Sequence, residues 1–309
     1  MTMPTVVYDL RANPITFDFA TFLAGASILC KSHGIDEFDL IIVATGFRNV
    51  TPREQSYTLE DRMWRLNNLI IPAAQSCNRI KNITVVRDAS NLPELNASAV
   101  YPASFSFNSP TSADYSPRLV AEWYAKTRVP PHIFSPSLMA LNLVRGLIDD
   151  SNKLVTLSPR IAAYDEARNS QLKDWEQLAE KLTELGYFVL MLPDFDDALR
   201  NRHLWRSDWQ ILEAAAFSLD IRLAALQLAE QNIISSGGLG VLSIYSATPY
   251  LICNLLHQEN HVANAEYYKK FCDLDVGANY PWADGRQKFI WEPFSAEKIV
   301  KEHFVNANR

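Results

Sequence analysis

The chain has 309 residues, which suits two domains of ordinary size, each able to bury its own core. Its 48% hydrophobic and 21% charged residues indicate a globular protein and exclude a disordered one. The formal net charge of −6, from 29 basic and 35 acidic residues, argues against a nucleic-acid partner. The four cysteines lie far apart in apolar surroundings, so we expect reduced core residues and neither a disulfide framework nor a zinc site.

The first half of the chain alternates strand-like and helix-like segments. Short apolar runs at 5–8 and 40–43 predict strands, and the apolar spacing between them predicts a helix over 19–32. The same patterns predict the helices 61–75, 118–126 and 137–147 and the strands 83–87 and 97–101. This alternation predicts a parallel sheet covered on both faces by helices.

The alternation starts again after the polar segment 149–152, where we place the boundary between domains 1–150 and 151–309. The elements predicted there are the strands 154–157 and 188–192, a helix over 172–185, one long or two shorter helices within 212–230, and a last helix over 295–304. The economical fold is α/β, with two Rossmann-like domains in tandem.

The segment 232–256 carries no Asp, Glu, Lys or Arg. It predicts a buried strand, a glycine turn at 235–240, an apolar helix and a second buried strand that begins after Pro249. Strand, glycine turn and helix together present main-chain N–H groups to an anion, so the turn is a candidate phosphate site. The alternative is a buried βαβ unit whose glycines only allow the helix to pack closely on the sheet.

No segment predicts export or membrane insertion. The N-terminus has no basic region followed by a hydrophobic core, so no signal peptide is evident and we expect a cytoplasmic protein. A membrane span needs about twenty mostly apolar residues. The segment 232–256 is interrupted too often by serine, glycine and proline to be one.

Polar residues follow three of the predicted strands. Ligands of parallel sheets bind at the carboxyl ends of the strands, and two facing domains would turn this crevice into an interdomain cleft. The residues that would line it are Asp9, Arg11, Asn13 and Asp18, then Ser158, Arg160, Arg168, Asn169 and Ser170, and the turn Ser235–Gly240. Arginine beside a helix N-terminus suits a diphosphate, because a guanidinium binds two oxygens at fixed geometry.

A series of motifs in the second half resembles a known fold family. The motifs are LSPR (157–160), ARNS (167–170), Trp175, GYFVLMLPD (186–194), SSGGLG (235–240), TPYLI (248–252) and PWADGRQKFIW (281–291). In order and spacing they resemble the C-terminal domain of GT-B-type glycosyltransferases of bacterial surface-polysaccharide biosynthesis, and more distantly the fucosyltransferases and heptosyltransferases. The first half matches only in general pattern.

The resemblance implies that the C-terminal domain binds a nucleotide-sugar donor and the N-terminal domain a glycan or lipid-linked acceptor across a cleft. Arg160, with Arg168 and Asn169, would contact the diphosphate, and the N–H groups of Ser235, Ser236, Gly237, Gly238, Leu239 and Gly240 would hold it. Gln287 would lie near the donor and Arg11 near the substrate, and the C-terminal helix would cross back to the first domain. A lipid-linked acceptor also leaves peripheral association with the inner face of the membrane open.

The acceptor hydroxyl needs a general base, ordinarily a carboxylate. The resemblance points to an Asp shortly after the first strand, hence Asp18 or Asp9, with Asp18 favoured; the alternative is that Asp18 merely caps the helix. We expect an inverting reaction, because no E-x7-E pattern lies near the donor site. Arginine and helix dipole would replace a metal, so we predict neither metal nor cofactor and discount the DxD at 194–197.

Two other functions stay open. One is a sugar-nucleotide epimerase of the same architecture, and the other is a non-catalytic nucleotide-sugar-binding subunit. A separate signal is the spacing of His257 and His261, which could share one helix face and bind zinc. No third ligand is evident, so a histidine pair at the rim of the site is the favoured interpretation.

Overall fold

A computed structural model describes residues 4–91, 95, 99–148, 153–162, 164–195, 198, 205–206, 208–257, 260 and 262–305. The chain forms two compact units, Met1–Phe134 and Ser135–Arg309. The division comes before the helix Leu138–Arg145 because that helix packs against the helix Leu219–Leu228 of the second unit. The polar segment 149–152, where we expected the boundary, lies outside the described residues.

The first unit contains a parallel sheet in the order β3-β2-β1-β4. The strands are β1 (Thr5–Asp9), β2 (Phe38–Val43), β3 (Ile80–Val86) and β4 (Val100–Tyr101). The pairing confirms the strands predicted at 5–8, 40–43 and 83–87. Of the strand predicted at 97–101, residues 97 and 98 lie outside the described residues and β4 covers the end.

Helices flank this sheet, as the alternation predicts. They are α1 (Asp18–Ser32), α2 (Pro52–Gln55), α3 (Leu59–Arg65), α4 (Ile71–Gln75) and α5 (Pro117–Thr127). The single helix predicted over 61–75 is interrupted by a π-helical turn at Leu66–Ile70. Gly25 of α1 allows α5 to approach closely, since a Cβ built on it would lie 3.2 Å from the Trp123 ring.

The second unit contains a six-stranded parallel sheet in the order β10-β9-β8-β5-β6-β7. The strands are β5 (Lys153–Ser158), β6 (Tyr187–Met191), β7 (Gln210–Ile211), β8 (Gln231–Ser235), β9 (Tyr250–Cys253) and β10 (Gln287–Phe289). The strand, turn, helix and strand predicted for 232–256 are confirmed. The edge strands β7 and β10 were not predicted, because two or three residues are too short to show a period.

The helices of the second unit are α6 (Leu138–Arg145), α7 (Leu172–Glu184), α8 (Leu219–Leu228), α9 (Gly238–Ile244), α10 (Ala265–Tyr267) and α11 (Ala296–Val300). Fully buried Trp175 of α7 lies in the core and stacks on Phe294 at 4.9 Å. The resemblance predicts that the last helix crosses back to the first half. Over the described residues α11 packs on α7, and its Ala296 and Ile299 lie in the core of the second unit. The crossing back stays a prediction.

All four cysteines are free and buried, as predicted. Burial raises the pKa of Cys30 to about 11 and that of Cys77 to about 12, so both thiols stay protonated near neutral pH. Within the described ranges, no helix has both the length and the apolar character that crossing a membrane requires.

Candidate functional site

Three neighbouring strands of the second sheet end side by side. β5 ends at Ser158, β8 at Ser235 and β9 at Cys253. Because the strands are parallel, the loops that follow them all lie at the carboxyl ends of the strands. These loops bring together a set of polar residues that we call the strand-end cluster: Arg160, Asp165, Arg168, Asn169, Ser236 and Asn260.

Arg160 shapes the loop that follows β5. Its Nη1 donates to the Asp165 carbonyl at 3.0 Å and to Asn169 Oδ1 at 2.6 Å, and its Nη2 donates to the Tyr164 carbonyl at 2.5 Å. Its main-chain N–H donates to Ser170 Oγ at 2.9 Å. Arg160 and Asn169 therefore hold their own loop in shape, and their predicted contact with a diphosphate stays a prediction.

The guanidinium of Arg168 makes longer contacts than that of Arg160. Its Nη2 lies 3.4 Å from the Ser236 carbonyl oxygen and 3.5 Å from the Ser236 hydroxyl, and its Nη1 lies 3.7 Å from Asp165 Oδ2. Its Nε is buried and has no hydrogen-bond partner among the described residues. A buried donor without a partner costs free energy unless a ligand engages it. Arg168 is therefore placed to bind an anion.

The glycine turn offers fewer main-chain donors than predicted. The N–H of Ser236 donates to the Cys253 carbonyl at 2.8 Å, and that of Gly240 donates to the Gly237 carbonyl at 3.1 Å. These two N–H groups are hydrogen-bonded within the fold, and phosphate binding by the turn stays a prediction.

The remaining donors lie at the start of α9. Gly240 faces the sheet, where a Cβ would make an ordinary contact with Ile252 at 3.5 Å. The first N–H groups of a helix have no acceptor within it. Those of Gly238 and Leu239 are therefore the candidate donors, although α9 has only seven residues and contributes a small dipole.

The loop after β9 joins the cluster through residues that were not predicted. Asn254, in the left-handed conformation with φ of 56°, donates from Nδ2 to Ser235 Oγ at 3.2 Å. Asn260 donates from Nδ2 to Asp165 Oδ2 at 2.7 Å. These residues become partners only once the strands pair, so no local sequence signal could identify them.

Tyr268 closes the cluster from the π-helical turn Tyr268–Cys272. Its hydroxyl lies 3.3 Å from the Ser236 hydroxyl, and its ring packs edge-on against Trp291. Burial raises the pKa of Tyr268 to about 12. The hydroxyl therefore stays protonated near neutral pH and keeps a hydrogen to donate.

Gln287 lies at the amino end of its strand, whereas the strand-end cluster lies at the carboxyl ends of the strands. It is the first residue of β10 and pairs with Tyr250, the first residue of β9. Its Nε2 donates to the carbonyls of Ser246 at 3.2 Å and Thr248 at 2.8 Å, and its Oε1 accepts from the Asp284 N–H at 3.3 Å. Gln287 therefore fixes the turn that enters β9, and its predicted substrate contact stays a prediction.

In the first unit, β1 ends at Asp9, whose carboxylate is 1% exposed. Nε and Nη2 of Arg11 donate to it at 2.9 and 2.7 Å, and the Arg11 main-chain N–H donates at 3.0 Å. Nη1 of Arg11 donates to the Phe107 carbonyl at 2.9 Å. Asp9 and Arg11 therefore bind each other and the loop after β1, and their predicted roles as base and substrate contact stay predictions.

Asp18 is the first residue of α1, and its carboxylate accepts from the Thr16 hydroxyl at 2.6 Å. The N-cap position is Phe17, and the capping role considered for Asp18 is not observed. Burial raises the pKa of Asp18, although the Thr16 hydrogen bond and the charges of Arg53 and Arg48 oppose the shift. A carboxylate with a raised pKa is suited to accept a proton near neutral pH.

The surroundings of Asp18 come from the segment after β2. Nε of Arg48 lies 3.4 Å from Glu54 Oε1, and its Nη1 donates to the Tyr115 hydroxyl at 3.1 Å. Glu54 in turn accepts from the Thr51 N–H at 2.9 Å and so caps α2. The sequence carried no signal for this group, since its members are far apart along the chain.

The described part of the chain contains no group of three or more His, Cys, Asp or Glu that could hold a metal. Two patterns noted in the sequence fall partly outside that description. Asp196 and Asp197 of the DxD pattern and His261 of the histidine pair lie outside the described residues, so both interpretations stay predictions.

No protein-family model matches the sequence. No curated protein matches it either. Among solved structures, the chain is similar to the glycosyl transferase family 9 protein from Veillonella parvula DSM 2008, at 11% identity and a TM-score of 0.53, over 97% of this chain and 90% of that chain. It is also similar to the ADP-heptose LPS heptosyltransferase II of E. coli, at 12% identity and a TM-score of 0.51, over 99% of this chain and 98% of that chain.

At these identities the likeness establishes the fold. The chain has the GT-B fold of these glycosyltransferases, which confirms the α/β class and the resemblance found in the sequence. The activity of the chain follows from its own site.

Proposed function

We propose that this protein is a glycosyltransferase that moves a sugar from a nucleotide-diphosphate donor to a glycan or lipid-linked acceptor, with inversion and without a metal. The observation that carries the proposal is the guanidinium of Arg168, whose Nε is buried and has no hydrogen-bond partner among the described residues, beside Ser236. The GT-B fold supports it, because ligands of such sheets bind at the carboxyl ends of the strands.

The second unit binds the donor. Arg168 and the N–H groups of Gly238 and Leu239 neutralise the charge that develops on the departing diphosphate. Arg160 and Asn169 hold the loop that presents Arg168. Because these donors are already positioned, little reorganisation is needed when the bond to the sugar breaks.

The first unit binds the acceptor, and Asp18 is its general base. The acceptor hydroxyl loses its proton to the Asp18 carboxylate, and its oxygen bonds to the anomeric carbon. The bond from that carbon to the phosphate oxygen breaks, and the nucleoside diphosphate leaves with the electron pair. A single displacement of this kind inverts the anomeric configuration.

A thermal-shift screen tests the donor site. The ligands are UDP, GDP, ADP, CDP, CMP and their sugar nucleotides, ADP-heptose included, each with and without EDTA. A ligand at a hundredfold excess over Kd stabilises the folded state by about 2.7 kcal/mol. We expect a clear shift from one nucleoside diphosphate that persists in EDTA.

Two variants make this screen specific. Arg168→Ala should abolish the shift, whereas Arg286→Ala, which removes an exposed arginine of the same unit, should preserve it. No shift from any nucleotide, or an equal shift in Arg168→Ala, would reject the donor site. Binding without release of nucleoside diphosphate in the presence of acceptor would instead identify a non-catalytic binding subunit.

A further inference from the structure

His257 follows β9 and lies within the loop that Asn254 and Asn260 join to the strand-end cluster. Its main-chain N–H donates to the Ala263 carbonyl at 2.7 Å, and its carbonyl accepts from the Asn260 N–H at 3.0 Å. We propose that His257 is a further diphosphate-binding residue that takes up a proton when the donor binds. This inference rests on the proposed donor site.

The hydrogen bonding of the ring identifies the nitrogen that titrates. Nε2 of His257 lies 3.2 Å from the Asn254 carbonyl oxygen. Because a carbonyl oxygen only accepts, Nε2 carries a hydrogen in both protonation states. Nδ1 is therefore the nitrogen that gains the proton, and it has no hydrogen-bond partner among the described residues. Once protonated, it becomes a charged donor.

The charges around His257 keep it neutral while no ligand is bound. Burial lowers the pKa of His257, and the charges of Arg168 and Arg160 lower it further. The hydrogen bond to Asn254 and the charge of Asp165 act in the opposite direction. These three charged residues all come from the loop after β5. The net lowering leaves the imidazole neutral at pH 7.

A bound diphosphate reverses this balance. It brings two negative charges to Arg168, and a nearby anion favours the imidazolium form. The pKa of His257 is then higher in the complex than in the free protein, so binding takes up a proton. By linkage, donor affinity rises as the pH falls through the interval between the free and the bound pKa, by at most about tenfold per pH unit.

Isothermal titration calorimetry tests this inference. UDP-, GDP-, ADP- and CDP-glucose serve as probes, because their diphosphate has no titrating proton near neutral pH. Titrations at about pH 6 in buffers of different ionisation enthalpy measure the protons exchanged. We expect the wild type to take up a fraction of a proton per site and to bind more weakly as the pH rises to about 8.

The matched variants are His257→Gln and His303→Gln. Glutamine keeps an N–H donor for the Asn254 carbonyl but cannot titrate, so His257→Gln should bind with no proton uptake and a flat pH profile. His303, which lies in the same unit and also has a lowered pKa through burial and Lys288, should leave the uptake unchanged when replaced.

The outcomes separate this inference from the proposed function. Binding without proton uptake, or uptake that persists in His257→Gln, overturns the inference alone. Absence of binding by every probe overturns both. As a second measurement on the wild type, the His257 ring resonances should titrate at higher pH with the bound probe than without it, and an unchanged midpoint would reject the inference.

Discussion

The side-chain amide of Asn260 donates to the Asp165 carboxylate at 2.7 Å, and this bond joins the loop after β9 to the loop after β5. Asp165 is also the carboxylate nearest the loosely engaged Arg168 guanidinium, 3.7 Å from its Nη1. The position of the Arg168 guanidinium therefore depends on a residue of another loop.

Asn260→Ala should weaken nucleotide binding about tenfold, because a hydrogen bond to a charged group contributes about 1.5 to 3 kcal/mol. Calorimetric titration of the nucleotide measures the change. Asn82→Ala is the matched control, since Asn82 makes the same amide-to-carboxylate bond to Asp39 on the exposed surface of the first unit. An equal loss in both variants would disprove a specific role for Asn260.

Asp18→Asn should lower the transfer rate at least a hundredfold, in the range expected for loss of a general base. The nucleotide Kd should not change, because Asp18 lies in the first unit. Release of nucleoside diphosphate in the presence of acceptor measures the rate. Asp36→Asn, which removes an exposed carboxylate of the same unit, is the control. A normal rate in Asp18→Asn would show that Asp18 is not the base.

Asp18→Asn should also stabilise the fold. Burial raises the pKa of Asp18, so the folded protein binds this proton more tightly than the unfolded chain. Stability from this group is therefore greatest at low pH and is lost as the pH rises through the raised value. At pH 7 Asp18→Asn removes that cost, and the melting temperature should rise. A melting temperature lower than that of the wild type would contradict this account of the site.

Asp9→Asn should behave in the opposite way. The buried carboxylate accepts four hydrogen bonds from Arg11, and removal of its charge weakens its pairing with the guanidinium. We expect a loss of about 2 to 3 kcal/mol in the free energy of unfolding, measured by urea denaturation. A loss below about 0.5 kcal/mol, the range of ordinary surface substitutions, would show that the pair is not structural.

Two glycines of one turn should differ in their response. A Cβ at Gly237 or Gly240 makes only ordinary contacts, the nearest at 3.7 and 3.5 Å, so both alanine variants should keep the wild-type stability. Gly237→Ala places a methyl group beside Arg160 at the start of α9 and should weaken nucleotide binding at least tenfold. Gly240→Ala, which faces the sheet, should bind normally. Equal affinities in the two variants would argue against phosphate at this turn.

The alternation of elements could be predicted because each long element has a clear hydrophobic period. The unit β8-α9-β9 was predicted for this reason, and its charge-free sequence matches its burial. The π-helical turn at 66–70 could not be predicted, since one extra residue in a turn leaves the apolar pattern intact. The last helix could be predicted as an element, but its packing on α7 depends on tertiary contacts.

The position of the candidate site in the fold could be predicted in outline. Polar residues that follow predicted strands are expected at the carboxyl ends of a parallel sheet. This expectation identified the positions of Arg168, Ser236 and Asp18. The choice between Arg160 and Arg168 could not be made from the sequence, because it depends on how the loop 159–170 folds around Arg160. The position of Gln287 could not be predicted for a similar reason: it lies at the start of its strand and not at the end.

The most direct test of the donor site is a crystal structure of the protein with the nucleoside diphosphate that gives the largest thermal shift. We expect the diphosphate oxygens at about 3 Å from the Arg168 guanidinium and from the N–H groups of Gly238 and Leu239. A nucleotide bound away from the strand-end cluster, with Arg168 left in its present contacts to Ser236, would contradict the proposed function.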